Sequence, residues 1–114
     1  MTVTLLHNPR CSKSRQTLAL LQSRGLEPVI IEYLKTPPDA DQLKRIIAAV
    51  GVSAHDLVRT GEAEYKALEL SPELPESVLI DAMVRQPRLI QRPILIAGDR
   101  ARIGRPPEAV LEIL

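Results

Sequence analysis

The sequence predicts an α/β fold: a four-stranded mixed sheet made from an N-terminal βαβ unit and a C-terminal ββα unit, with a helical insertion of about residues 39–86 between them. Three observations carry this. Residues 2–6 alternate polar with apolar as a short strand does, and Ser14, Leu18 and Leu21 then recur at helical spacing before an apolar run at 28–33. Paired helix start and stop signals crowd the middle of the chain. Near the end, two short apolar runs flank Gly98-Asp99 as the arms of a hairpin flank their turn.

Taken in order, the first helix is expected to end near Arg24, because Gly25 is a natural C′ residue. Residues 28–33 read as a second strand with apolar residues on both faces, as in a buried parallel strand. A βαβ crossover makes it parallel to the first. Thr36-Pro37-Pro38 breaks the pattern, and Asp39 with Gln42 has the form of a capping box. Leu43, Ile46, Ile47 and Val50 form the buried stripe of that helix, which Gly51 ends.

Ser53 with Asp56 suggests a short helical turn carrying Leu57, Val58 and Arg59, and another helix covers 62–68. Pro75 suits the first turn of a further helix, in which Val78, Leu79, Ala82 and Met83 make one face before Pro87 stops it. Residues 94–97 and 100–103 then form a hairpin whose Gly-first two-residue turn suits type II′. Pro106 and Pro107 open a closing helix with Val110, Leu111 and Leu114 toward the core. No internal repeat or low-complexity linker is visible.

At 114 residues the chain is expected to form one domain. Its core is aliphatic, since the sequence has no Trp or Phe and two Tyr. A net charge of +1 argues against a general nucleic-acid or membrane footprint. No apolar stretch approaches the ~20 residues of a spanning helix. A single cysteine excludes an internal disulfide framework, and the chain enters a strand without a charged leader, so a cytoplasmic location is expected. One cysteine and two distant histidines do not make a metal ligand set.

Cys11 lies in the strand-to-helix turn Leu6-His7-Asn8-Pro9-Arg10-Cys11-Ser12-Lys13-Ser14-Arg15. The first N–H groups of a helix have no intrahelical partner and, with the helix dipole, favour negative charge. Thiolate is thereby favoured over thiol, and the same N–H groups suit an oxyanion. Arg10, Lys13 and Arg15 add positive charge. Many lone cysteines are small buried hydrophobes, but the polar surroundings of this one oppose that reading. Ser14, three residues on, is placed to donate its hydroxyl to the sulfur, or is a plain helix-start residue.

The strand and helix order is that of the thioredoxin-like architecture, where a cysteine after the first strand is the redox position. Ser14 stands where a Cys-x-x-Cys would place its second thiol, which excludes intramolecular dithiol exchange. The chain resembles the glutaredoxin-coupled arsenate reductases of this fold along essentially its whole length. The resemblance rests on His7-Asn8-Pro9-x-Cys11-x-x-Ser14-Arg15, Leu57-Val58-Arg59, Arg92-Pro93-Ile94 and Gly104-Arg105-Pro106, in that order.

The resemblance implies that Cys11 is the nucleophile, that Arg59, Arg92 and Arg105 bind the oxyanion, and that Pro93 is a cis-proline facing the cysteine. Guanidinium forks match a tetrahedral oxyanion with charge-assisted, often bidentate bonds. His7 either tunes the thiolate or is a hydrogen-bonded structural residue. The implied chemistry is arsenate reduction with glutathione as co-substrate, glutaredoxin as partner and no bound cofactor. The loop departs from the pattern, with Ser12-Lys13 for a Gly-Thr type pair and Arg10 for a small residue; a second branch of relatives carries this Arg-Cys-Ser-Lys-Ser version. Two alternatives remain at this point: a glutathione-dependent thiol oxidoreductase on another small substrate, and a non-catalytic adaptor similar to the transcription regulators of this fold. Those regulators generally carry Cys-x-x-Cys, which Ser14 precludes here.

Overall fold

A computed structural model describes residues 2–114 of the protein. Its chain folds into two units: residues up to Thr36 together with Arg92–Leu114, and the inserted Pro37–Gln91. The first holds the whole sheet, in the order β2-β1-β3-β4. Strand β1 (Val3–His7) pairs in parallel with β2 (Val29–Glu32) and antiparallel with β3 (Ile94–Ala97), which pairs antiparallel with β4 (Arg100–Ile103).

Helix α1 (Ser12–Ser23) joins β1 to β2, and its end matches the expectation, with Arg24 as the cap and Gly25 at φ +77°. The two-residue side-chain period of β1 places Val3, Leu5 and His7 on one face. There Val3, Leu5, Leu95 and Ala97 close over Leu21 of α1 and Val110 of the C-terminal segment, with Leu18, Leu26 and Ile113 around them. The hairpin turn has Gly98 at φ +63°, and Asp99 does not share the left-handed region, which is the II′ pattern.

Three sequence expectations fail in this unit for identifiable reasons. Strand β2 is not buried on both faces: Val29 and Ile30 are 51% and 41% exposed, because the strand order leaves β2 at the sheet edge. The closing helix is a 3-10 helix, Pro107–Ile113, not an α-helix. Its three-residue period aligns Pro107, Val110 and Ile113, so Ile113 packs inward while Leu114 is exposed. Finally, β1 runs one residue further than expected and includes His7.

The inserted unit contains α2 (Ala40–Val50), a 3-10 turn at Ala54–Leu57, α3 (Ala63–Ala67), α4 (Glu76–Arg85) and a 3-10 turn at Pro87–Leu89. The predicted capping box forms at Asp39 with Gln42, the short turn expected at Ser53 with Asp56 is also closed by a capping box, and Gly51 ends α2 at φ +80°. Leu43, Ile46 and Ile47 are buried and Val50 is half-buried. Val58 and Arg59 lie beyond the 3-10 turn rather than in it. On α4, Ile80 is buried with Leu79, Ala82 and Met83, and Val78 faces solvent, so the buried stripe is rotated from the expected one. No helix among the described residues is long and apolar enough to cross a membrane.

Gly104 follows β4 where no side chain fits. A Cβ built there would meet the Pro93 ring at 2.7 Å and the Thr17 hydroxyl at 2.8 Å. Thr17 is fully buried and its hydroxyl donates to the Lys13 carbonyl at 2.8 Å, so it cannot readily turn aside. Gly104→Ala is expected to cost about 1–3 kcal/mol, the usual penalty of overpacking, as a lower midpoint of urea unfolding.

Candidate functional site

The turn between β1 and α1 is built by its own sequence. Cys11 N–H donates to the Asn8 carbonyl at 2.9 Å, and the Asn8 side-chain oxygen accepts from Arg10 N–H at 3.0 Å. Pro9, between them, fixes its own φ and brings no N–H that would need a partner. The Arg15 guanidinium reaches back to the Pro9 carbonyl at 2.9 Å. Cys11 is thus held at the N-cap of α1, in extended conformation, with its carbonyl accepting from Arg15 N–H at 3.0 Å.

Ser14 is completely buried under this turn. Its hydroxyl oxygen accepts from Asn8 N–H at 3.0 Å and lies 2.6 Å from Nδ1 of buried His7. Burial lowers the pKa of His7; Glu32 opposes this and Arg15 adds to it. The imidazole is therefore neutral near pH 7, and the hydroxyl proton of Ser14 fits the Nδ1 lone pair. The hydroxyl, committed to His7 and Asn8, is not the group that serves the sulfur. Ser14 contributes its backbone N–H instead.

Half-buried Cys11 balances opposed effects. Burial, the largest single influence, pushes the thiol pKa up; the Ser14 N–H, a hydrogen bond from the Arg92 side chain, the Lys13 N–H and the charge of Arg92 pull it down. The outcome is a pKa below the ordinary thiol value. Nη2 of Arg105 lies 3.6 Å from Sγ, while its Nε donates to the Arg92 carbonyl at 2.8 Å.

The β3–β4 register explains how two distant arginines meet at one sulfur. Ile94 faces Ile103, Gly104 N–H then donates to the Pro93 carbonyl at 2.8 Å, and the next pair outward is Arg92 with Arg105. Both are followed by cis peptide bonds, Arg92-Pro93 as the resemblance implied and Arg105-Pro106, which sequence reasoning missed.

The structure therefore brings Cys11, His7, Ser14, Arg92, Pro93 and Arg105 into one unit, with Arg10 adjoining the sulfur in sequence. Arg59 belongs to the inserted unit. There Val58 bridges Ile90, and Arg59 N–H donates to the Leu89 carbonyl at 2.7 Å. Its Nε lies 3.4 Å from Glu62, which also pairs with Arg88 at 3.3 Å. Sequence reasoning gave no role to Glu62, which reads as an ordinary helix-start acid, and quoted Gly104 only as part of a motif, because its tightness shows only against Pro93 and Thr17.

The ArsC family pattern matches residues 6–113. The chain belongs to the ArsC family. It is 52% identical to the uncharacterized protein YfgD of Escherichia coli, across 98% of this chain and 96% of that one. It is 45% identical to the arsenate reductase of Haemophilus influenzae over the full length of both. Among solved structures, the arsenate reductase from Vibrio cholerae superposes with a TM-score of 0.97 at 46% identity, covering 100% of this chain and 98% of that one. The thioredoxin-like fold expected from the sequence is thereby shown for this ArsC protein.

Removal of the Ser14 hydroxyl leaves Asn8 N–H and His7 Nδ1 without their buried partner. Ser14→Ala is expected to destabilise the fold by about 1–3 kcal/mol, read from urea unfolding. Arg92→Ala takes away a hydrogen bond and a charge that favour the thiolate, so the pH midpoint of Cys11 alkylation by iodoacetamide should move upward. The same depressed pKa sets a stability trend. Ionised Cys11 stabilises the fold fully above the unfolded-state value of about 8.5, and that contribution is lost as pH falls through the folded value. Cys11→Ser should lack this dependence.

Proposed function

We propose that this ArsC protein is an arsenate reductase that uses Cys11 as its nucleophile, with glutathione as co-substrate and glutaredoxin as partner. The observation that carries the reading is the sulfur held between Arg105 at 3.6 Å, the Arg92 side chain and the N–H groups of Lys13 and Ser14. Those donors suit a thiolate and, beside it, an oxyanion. Arg92 and Arg105 bind the oxyanion in this reading; for Arg59 that role rests on the family resemblance alone.

The Cys11 thiolate attacks arsenic and forms an S–As bond, and one arsenate oxygen leaves as water after taking up protons. Glutathione displaces a second oxygen, also as water, to give arsenic(V) carrying two sulfurs. A glutaredoxin thiolate then attacks the glutathione sulfur. A disulfide forms between them, the electron pair of the As–S bond passes to arsenic, and arsenic(III) remains on Cys11. Hydrolysis releases arsenite and restores the thiol. Two thiols are oxidised while arsenic gains two electrons. Such turnover draws on a reduced thiol pool, which places the protein in the cytoplasm.

The test is arsenate-dependent NADPH oxidation in the presence of glutathione, glutaredoxin and glutathione reductase. Native protein should turn over and Cys11→Ser should not. Arg92→Ala and Arg105→Ala should each lower kcat/KM for arsenate by about 10- to 100-fold, the range expected for a lost hydrogen bond to a charged group. Absence of turnover by the native protein, with glutaredoxin shown active on a standard disulfide, would overturn the proposal.

A further inference from the structure

Charge is distributed unevenly between the two units. The unit that holds Cys11 carries nine Lys or Arg against five Asp or Glu, and the inserted unit carries six against nine. Residues 1–26 contain no acidic residue, although Arg10, Lys13, Arg15 and Arg24 all fall there. Arg15 is occupied by the Pro9 carbonyl, and Arg92 and Arg105 by the sulfur and by each other. Arg10 and Lys13 are different: both are exposed, flank Cys11 within two residues, and have no side-chain partner among the described residues.

Arg10 is also presented on a fixed backbone. Its N–H is held by the Asn8 side chain, and the turn around it is closed by the Cys11 N–H to Asn8 bond and clamped by Arg15. A cation on such a turn loses little backbone freedom when it binds. The general field of this unit draws anions toward the sulfur, and the two flanking cations are the charges still available once an atom has reached it.

The geometry points to Arg10 and Lys13 as a carboxylate-recognition site for the small anionic thiol or disulfide that exchanges with Cys11. The class of ligand is a peptide-like thiol with a carboxylate on either side of its sulfur-bearing residue. About 3.5 Å of extended chain per residue sets such carboxylates away from the sulfur itself, so they call for cations beside Cys11 and not on it. The inference rests on the proposed reading only in taking a glutathione-type thiol as the exchange partner of Cys11.

The test needs no arsenate. The Cys11 thiolate attacks one sulfur of a disulfide, the new Cys11 S–S bond forms, the old one breaks, and the other half leaves as thiolate. Rates of adduct formation, followed by mass spectrometry, are compared for glutathione disulfide and for neutral bis(2-hydroxyethyl) disulfide. A change in thiolate population slows both reagents together, so the ratio of the two rates isolates recognition. Each of Arg10→Ala and Lys13→Ala is expected to lower that ratio about three- to fivefold and the double variant about tenfold, as for exposed charge pairs; Arg10→Lys should restore most of the loss. Salt should slow the native reaction with glutathione disulfide and spare the neutral reagent.

An unchanged ratio in the double variant, parallel slowing of both reagents, or a native Cys11 that reacts with neither would overturn the inference. Arsenate turnover, measured separately, stands or falls independently of that ratio.

Discussion

A sulfur that is half out of water and yet ionises more readily than an ordinary thiol is the constraint on which the site depends. Burial alone would make Cys11 an inert thiol. The compensation comes from two directions, backbone N–H groups at the start of α1 and guanidinium groups from the far end of the chain. Neither source suffices without correct placement, because hydrogen bonds to a charged acceptor weaken steeply with distance and angle. The fold surrounding the sulfur can be understood as the means of placing these donors.

For the N–H groups, the placing device is the turn. Asn8, Pro9, Arg15 and Ser14 fix where α1 begins, so that the N–H groups of Lys13 and Ser14 reach the sulfur. For the guanidinium groups, it is the hairpin register. A two-residue turn at Gly98-Asp99 pairs Ile94 with Ile103, and continued outward the same pairing sets Arg92 opposite Arg105. A slip of one residue would send one of these side chains to the other face of the sheet. Gly104, pressed between Pro93 and Thr17, ties the two devices together, since Thr17 lies on the helix that Cys11 caps. The turn-dictated register and a missing side chain thus decide chemistry 94 residues from the cysteine in sequence.

Much of this was legible because it is governed by local rules. The capping box at Asp39, the short helical turn at Ser53, left-handed glycines at 25, 51 and 98, and the position of Cys11 at a helix start all depend on residues within one turn of each other. Several features that depend on neighbours distant in sequence were not legible from local pattern. The apolar run 28–33 reads the same at the edge of a sheet as at its centre, so the exposure of Val29 and Ile30 follows only from the strand order. Val78 and Ile80 are interchangeable by composition, and the orientation of α4 selects Ile80 for burial. At the C-terminus, a three-residue period and a 3.6-residue period diverge by one position within two turns, which exchanges Leu114 for Ile113.

Ser14 shows most clearly how a residue can be found by its position and misread in its role. At the place of a second redox thiol, it invites the view that a serine is a cysteine with its chemistry removed. The hydroxyl does something a thiol does poorly. It accepts a 3.0 Å bond from Asn8 N–H and approaches His7 Nδ1 to 2.6 Å, distances suited to a strong, compact donor and acceptor and short for sulfur. Those two bonds anchor the last residue of β1 and the first of the turn to the helix that Cys11 caps. The position therefore serves rigidity in place of redox exchange, and the two uses exclude each other: an atom locked between His7 and Asn8 is not available to attack a sulfur. With no other cysteine in the sequence, a second thiol that exchanges with Cys11 has to come from outside the chain.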